Sequence, residues 1–179
     1  WFAVGNEGGS GTATINNATV NLDGFVDFRT GNGAGLRVGR GVGSTGVLNL
    51  QNGAAINIAN SLPDSAVVLG GTTVAPGGTG TINMSGGSTI TFTGTATGAT
   101  LGIGSSSGGS GTMTMTGSSI VNTGATGTVK MGSSNGSSGN LTTDRGWRIL
   151  ANTAGIGGSS DSTAIDVRST PAPSLQVSV

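Results

Sequence analysis

Apolar and polar residues alternate along this chain in short runs, a pattern typical of β-strands with one buried face. Residues two apart share a face of a strand, so each run defines one inward stripe. After each corner glycine the inward pairs are Ala13/Ile15, Leu48/Leu50, Ile82/Met84 and Met113/Met115. The next run gives Val20/Leu22, Ile56/Ile58, Ile90/Phe92 and Ile120, and an opening run gives Leu36/Val38, Leu101/Ile103 and Val129/Met131. No segment has the 3.6-residue apolar period of a helix, so the sequence predicts an all-β protein.

These runs form a unit that recurs along the chain. The corner glycines of the units are Gly11, Gly46, Gly80, Gly111 and Gly139, which are 35, 34, 31 and 28 residues apart. One unit cannot bury its own three apolar stripes, whereas stacked units bury them in one continuous core. The sequence therefore predicts a parallel β-solenoid of about five coils, each of roughly thirty residues with three short strands. We expect a right-handed coil, because parallel crossovers are generally right-handed.

The solenoid core is predicted from the same alternation. We expect six residues to be buried and stacked on their equivalents in neighbouring coils: Leu50, Ile58, Met84, Ile90, Met115 and Ile120. A one-residue error in register would move a whole stripe to the outer face.

The repeat occupies residues 1–143 and is predicted to stop after Asp144. Residues 144–179 are predicted to be a C-terminal cap or a tail that connects subunits. In one interpretation the tail folds back over its own last coil; in the other, one of its strands pairs with a neighbouring subunit. The candidate assembly residues are Trp147, Arg148, Ile165, Val167, Leu175, Val177 and Val179.

Composition and charge exclude several classes of protein. The 179 residues include 37 Gly but no Cys and no His, so disulfides, thiolate metal sites and imidazole bases are excluded. The net charge is zero, which leaves no basic face for a nucleic acid. No run of 18 apolar residues is present to form a transmembrane helix. We therefore predict no cofactor, no metal, no nucleic-acid partner and no transmembrane segment.

Two glycine motifs resemble catalytic or nucleotide-binding signatures. Residues 41–46 spell GxGxxG, but an alternating strand pattern follows where a dinucleotide site needs a helix. Residues 104–108 and 132–136 both spell GxSxG, yet the chain has no His to act as base, and a Ser–Lys pair would have to use Lys130. Because the two GxSxG matches occupy the same place in successive repeats, we interpret them as solenoid turns. We interpret the GxGxxG segment in the same way, because a strand pattern follows it.

Carboxylates offer one further candidate for catalysis. Asp23 and Asp27, with Arg29 close by, have a spacing that glycoside hydrolysis tolerates. A solvated rim on a terminal coil predicts the same residues, and the seven acidic residues are too dispersed for a calcium ladder. No catalytic residue is therefore predicted, and the chain is expected not to be an enzyme.

The outward positions of the strands are rich in Thr and Asn. One outward column is predicted to contain Thr12, Val47, Thr81, Thr112 and Asn140, and the next Thr14, Asn49, Asn83, Thr114 and Thr142. Such side chains form hydrogen-bonded ladders along a stack. Between residues 65 and 143 the only charged residue is Lys130. Neutral flanks of this kind suit lateral packing, a surface layer or contact with carbohydrate.

The segments GSGTATINNATVNL, GTGTINMSGGSTITF and GSGTMTMTGSSI resemble the autotransporter-associated β-strand repeat of bacteria, over about residues 3–143. The resemblance implies export, a β-solenoid, and adhesion or surface structure. The expected function is that of a non-enzymatic, extracellular or cell-surface structural protein, self-assembling or adhesive, in a filament, layer or stalk. Its expected partners are copies of itself and surface carbohydrate. The alternatives are a polysaccharide-binding or polysaccharide-cleaving β-helix protein and, third, an ice-binding solenoid, although Val47 and Asn49 interrupt a regular Thr row.

Overall fold

A computed structural model describes residues 2–22, 35–59, 66–72, 75–93, 99–123, 127–144, 147–151, 153–156, 162–167 and 174–177. The described residues form eighteen strands, numbered in chain order, and no helix. The first sheet contains β1 (Phe2–Asn6), β4 (Gly35–Arg40), β7 (Ala66–Leu69), β10 (Thr100–Ile103), β13 (Thr128–Met131) and β16 (Thr153–Ile156). The second contains β2 (Ser10–Asn16), β5 (Thr45–Gln51), β8 (Thr79–Met84), β11 (Ser110–Met115), β14 (Ser138–Thr143) and β17 (Ser162–Val167). The third contains β3 (Thr19–Leu22), β6 (Ala55–Ile58), β9 (Thr89–Phe92), β12 (Ile120–Asn122), β15 (Arg148–Ala151) and β18 (Ser174–Val177).

Every strand pairs in parallel with the strand three places away along the chain, so the chain visits each sheet once per coil. This confirms the predicted all-β parallel solenoid with three strands per coil. The coils stack at the usual spacing of about 4.8 Å between neighbouring strands.

The core lies between the three sheets and is built from columns of apolar residues in register. In the second sheet Leu50 is paired with Met84, and Met84 with Met115. The predicted burial is confirmed for five of the six residues, each of which is at most 1% exposed: Leu50, Ile58, Met84, Ile90 and Met115.

The prediction for Ile120 is wrong by one residue. Ile120 is paired with Thr89 and is only half-buried, whereas Val121 is paired with Ile90 and is fully buried. The reason is the fixed length of the corner before the third sheet, which has two residues at positive φ in three successive coils. These pairs are Asn52/Gly53, Gly86/Gly87 and Gly117/Ser118. This corner turns the sixth residue after Met115 inward, as it does after Met84.

Glycines recur at the corner between the first and second sheets because two backbones meet there. A Cβ on Gly104, which has φ +58°, would overlap the carbonyl oxygen of Ser138 in the next coil. A Cβ on Gly46 would overlap the carbonyl oxygen of Val4 in the preceding coil. Only glycine allows this close approach, which explains the corner glycines found in the sequence.

Strands β15 to β18 lie beyond the predicted boundary at residue 143. They pair in parallel with β12, β13, β14 and β15, so each sheet has six strands and runs past Asp144, where the sequence analysis placed the end of the repeat. Ile165 is in register with Leu141, and Leu175 with Ile149. Thr163 is in register with Gly139, so the glycine that identifies the other coils is missing here. The described strands of the tail therefore pair with the chain's own preceding coil.

Candidate functional site

The outer face of the second sheet carries polar ladders that cross the coils. The observed register aligns Thr12, Val47, Thr81, Thr112 and Asn140 in the predicted order. In the neighbouring column, the Asn83 Nδ2 donates to the Asn49 Oδ1 at 2.9 Å, and the Asn49 Nδ2 donates to the Thr14 Oγ1 at 3.4 Å. On the third sheet, the Asn57 Nδ2 donates to the Asn21 Oδ1 at 2.9 Å. The outer amides thus hydrogen-bond between coils.

An open groove of about 510 Å³ lies beside this face, at the corner between the first and second sheets. We call it the corner groove. Three successive coils contribute to it: Val42, Gly43, Ser44 and Thr45 from the second coil, Pro76, Gly77, Gly78 and Thr79 from the third, and Ser107, Gly108 and Ser110 from the fourth. Its lining contains no charged and no aromatic residue.

Two features of the corner groove were not anticipated from the sequence. Val42 is 78% exposed and is the only large hydrophobic residue so exposed among those described. Pro76 lies in the corner between β7 and β8, which is longer than the equivalent corner in the second or fourth coil. Two features of the sequence could have indicated this groove: the apolar residue Val42 at a turn, and the longer corner in the third repeat.

The serine motifs are structural turns, as predicted. Residues 104–108 join β10 to β11, and residues 132–136 join β13 to β14. The middle serine of the first motif, Ser106, is 3% exposed and its hydroxyl donates to the Gly70 carbonyl at 2.7 Å. The middle serine of the second, Ser134, donates to the Ser105 carbonyl at 2.6 Å. Both hydroxyls therefore bind backbone of the preceding coil.

The GxGxxG segment is likewise a turn between two strands, β4 and β5. The Ser44 hydroxyl donates to the Arg40 carbonyl at 2.7 Å and accepts from the Gly8 amide at 2.8 Å. It thus links the first and second coils. No helix follows that could present its amino terminus to a phosphate.

One ion pair joins the same two coils. The Arg40 Nη1 lies 3.1 Å from the Glu7 Oε1 and donates to the Asn6 Oδ1, also at 3.1 Å. The Arg40 side chain is 12% exposed and that of Glu7 is 73% exposed. A pair with one exposed partner contributes little to stability. This pair was not predicted from the sequence.

The candidate assembly residues lie in different environments. Trp147 is 2% exposed and belongs to the hydrophobic core, so its ring packs inside its own chain. Arg148 is exposed on β15. Ile165 and Val167 lie on β17, and Leu175 and Val177 on β18. Val179 lies outside the described residues, as do the candidate acid pair Asp23 and Asp27 and the nearby Arg29.

The described residues contain no group of three or more acidic, His or Cys side chains that could hold a metal ion. In the same part of the chain, no helix is long and apolar enough to cross a membrane. Comparison with protein-family models, with curated proteins and with solved structures found no match to this chain.

Proposed function

We propose that this chain is a non-enzymatic structural protein of a bacterial surface, in which copies associate side by side through the neutral outer faces of the solenoid. The product would be a filament, a layer or an adhesive stalk outside the cell. Export and surface location follow from the resemblance to the autotransporter-associated repeat.

The observation that carries the proposal is the outer face of β2, β5, β8, β11 and β14, which has no charged residue and which we call the ladder face. Thr81, Thr112 and Asn83 lie outward in register, and Lys130 is the only charged residue between residues 65 and 143. Proteins that remain apart in solution usually carry many surface charges, which repel their copies. A polar face with a repeat of about 4.8 Å also matches the same face of a second copy, so amides and hydroxyls can pair across the contact.

The environment of the serines supports a non-enzymatic role. The hydroxyls of Ser106 and Ser134 donate to backbone carbonyls, which leaves neither positioned as a nucleophile. The chain also contains no His and no Cys. An ice-binding role has less support, because Val47 and Asn49 interrupt the Thr columns of the outer face.

The proposal is tested by placing charges on the ladder face. In a Thr81→Lys, Asn140→Lys variant the new charges lie two coils apart, roughly 10 Å, so they repel one another weakly at moderate salt. We expect sedimentation velocity to show assemblies for the wild type and monomers for this variant. High salt, which screens charges, should restore assembly of the variant.

The matched control is Thr81→Ser with Asn140→Ser, which keeps the face neutral and should assemble like the wild type. Circular dichroism verifies that all three proteins retain their β-structure. A wild type that is monomeric at every concentration, or a charged variant that assembles as well as the wild type, would contradict the proposal.

A further inference from the structure

We propose that the corner groove is a binding site for a neutral polysaccharide chain. This goes beyond the structural role proposed above and does not depend on it. The site lies at the centre of the described solenoid and combines an exposed apolar residue, Val42, with a row of hydroxyls in an uncharged cleft.

The shape of the corner groove suits a chain ligand. It is open and crosses three coils, so with a coil spacing of about 4.8 Å it extends roughly 10 Å along the solenoid axis. Its volume of about 510 Å³ falls within the range common for ligand sites. An open groove admits a long polymer that continues beyond it at both ends.

Three hydroxyls of the corner groove are available to a ligand, whereas those of Ser44 and Ser107 donate to backbone carbonyls. Thr45 and Thr79 are exposed, and their hydroxyls make no hydrogen bond within the described part of the chain. The Ser110 hydroxyl accepts from the Ser138 hydroxyl at 3.2 Å, which leaves its own proton to donate. The three residues are paired in register across adjacent strands. They therefore repeat hydrogen-bonding groups at regular intervals, which matches the repeated hydroxyls of a polysaccharide.

Apolar contacts complete the site. Val42 is 78% exposed on one wall, and Pro76 is exposed on the next coil. Sugar rings present C–H groups on their faces as well as hydroxyls at their edges. Val42 and Pro76 can cover such C–H groups while Thr45 and Thr79 bind the hydroxyls, and a site of this mixed character is typical of small-molecule recognition.

Other ligand classes fit this lining less well. A phosphate, a carboxylate or a cation would lose part of its hydration shell on binding, and the groove lining has no opposite charge to compensate for that loss. Nucleobases would find no aromatic ring on which to stack. An extended peptide needs unpaired backbone groups, yet the amides of Thr45, Thr79 and Ser110 already donate to the carbonyls of Gly9, Ser44 and Gly78.

The proposal is tested by affinity electrophoresis of the full chain in gels that contain dextran, mannan, hydroxyethyl cellulose or soluble starch. We expect at least one of these neutral polysaccharides to retard the wild type. Val42→Asp places a charge on the apolar wall and should reduce the retardation. We expect the apparent Kd obtained from the retardation to rise about tenfold. Thr79→Val removes one hydroxyl at constant shape and should also weaken it.

Ser118→Asp is the matched control, because it adds the same charge at an exposed corner elsewhere. Ser118 has φ +63°, a conformation that Asp tolerates, so this variant should fold and bind like the wild type. The proposal is overturned if no neutral polysaccharide retards the chain, or if Val42→Asp binds as the wild type does. It is also overturned if polygalacturonate, an anionic chain, is bound more tightly than the neutral ones. If Val42→Asp changes sedimentation while no polysaccharide binds, the groove is a contact between copies instead.

Discussion

Two kinds of residue are important for the stability of the solenoid: buried apolar residues and corner glycines. Apolar side chains such as Ile90 and Val121 fill the core columns and are fully buried. Glycines such as Gly104 allow two backbones to meet at a corner. Substitution at either kind of position is expected to be destabilising, because core side chains are closely packed and a Cβ at Gly104 would collide with the backbone of the next coil.

The register at β12 predicts a large loss of stability for substitution at Val121 and a small loss for substitution at its neighbour Ile120. Val121→Asp buries an unpaired carboxylate and should lower the free energy of unfolding by about 4 kcal/mol. Ile120→Asp changes a half-buried outward residue and should cost about 1 kcal/mol. Urea denaturation of both variants measures the difference. Equal effects, or a larger effect at Ile120, would show that the register described here is incorrect.

Gly104 and Gly108 separate the effect of close approach from the effect of positive φ. Both have positive φ, +58° and +66°, but a Cβ on Gly108 would meet nothing within 4 Å. Gly108→Ala should cost about 1 kcal/mol for its conformation alone. Gly104→Ala should cost about 1–3 kcal/mol more, because its methyl group collides with the Ser138 carbonyl. Similar stabilities of the two variants would argue against a tight corner.

Thr143 interrupts a core column that is otherwise apolar. It is 2% exposed, in register with Met115, and its Oγ1 has no hydrogen-bond partner among the described residues. Thr143→Val keeps the shape and removes the unpaired hydroxyl, so it should raise the free energy of unfolding by about 1 kcal/mol. Thr142→Val, on the outward side of the same strand, should change stability little. A loss of stability in Thr143→Val would mean that the hydroxyl is hydrogen-bonded in solution.

At the scale of whole strands, alternation predicted most of the core, and alternation together with the recurrence of the corner glycines predicted the architecture. Strands such as β5 and β8 keep their apolar residues two apart, and this spacing fixes which side faces inward. Corner geometry was harder to predict, because the conformations of Gly117 and Ser118 decide whether Ile120 or Val121 turns inward. The last coil was missed because Thr163 replaces the glycine that marks the others. The corner groove depends on how three separate corners meet in space, which no single motif encodes.

The amide ladder between strands β5 and β8 should contribute measurable coupling. In a double-mutant cycle, Asn49→Ala and Asn83→Ala remove the two partners of the 2.9 Å hydrogen bond. We expect a coupling free energy of about 0.5–1 kcal/mol from thermal or urea unfolding. Asn49→Ala combined with Asn57→Ala is the control, because these residues lie on different sheets, and it should show no coupling. Absence of coupling for Asn49 and Asn83 would mean that water satisfies both amides equally well.

At the scale of the molecule, the solenoid is a rod whose central coils are almost uncharged. Charge is concentrated outside residues 65–143, which supply Thr81, Thr112 and Asn140 to the ladder face. The corner groove draws one of its three corners from residues 42–45, but none of its lining residues is charged. Such a surface has little electrostatic repulsion between copies and offers regularly spaced hydroxyls and amides to neutral partners. Both the proposed self-association and the proposed polysaccharide site depend on this neutrality.

The assembly state of the wild-type chain upon dilution tests the central claim most directly. Negative-stain electron microscopy of the purified chain, diluted from micromolar to nanomolar concentrations, distinguishes ordered assemblies from single rods. We predict laterally associated filaments or sheets that persist on dilution, because many weak contacts along the neutral face act together. Isolated rods at every concentration, including the highest, would contradict the proposal that this solenoid is a self-assembling structural protein.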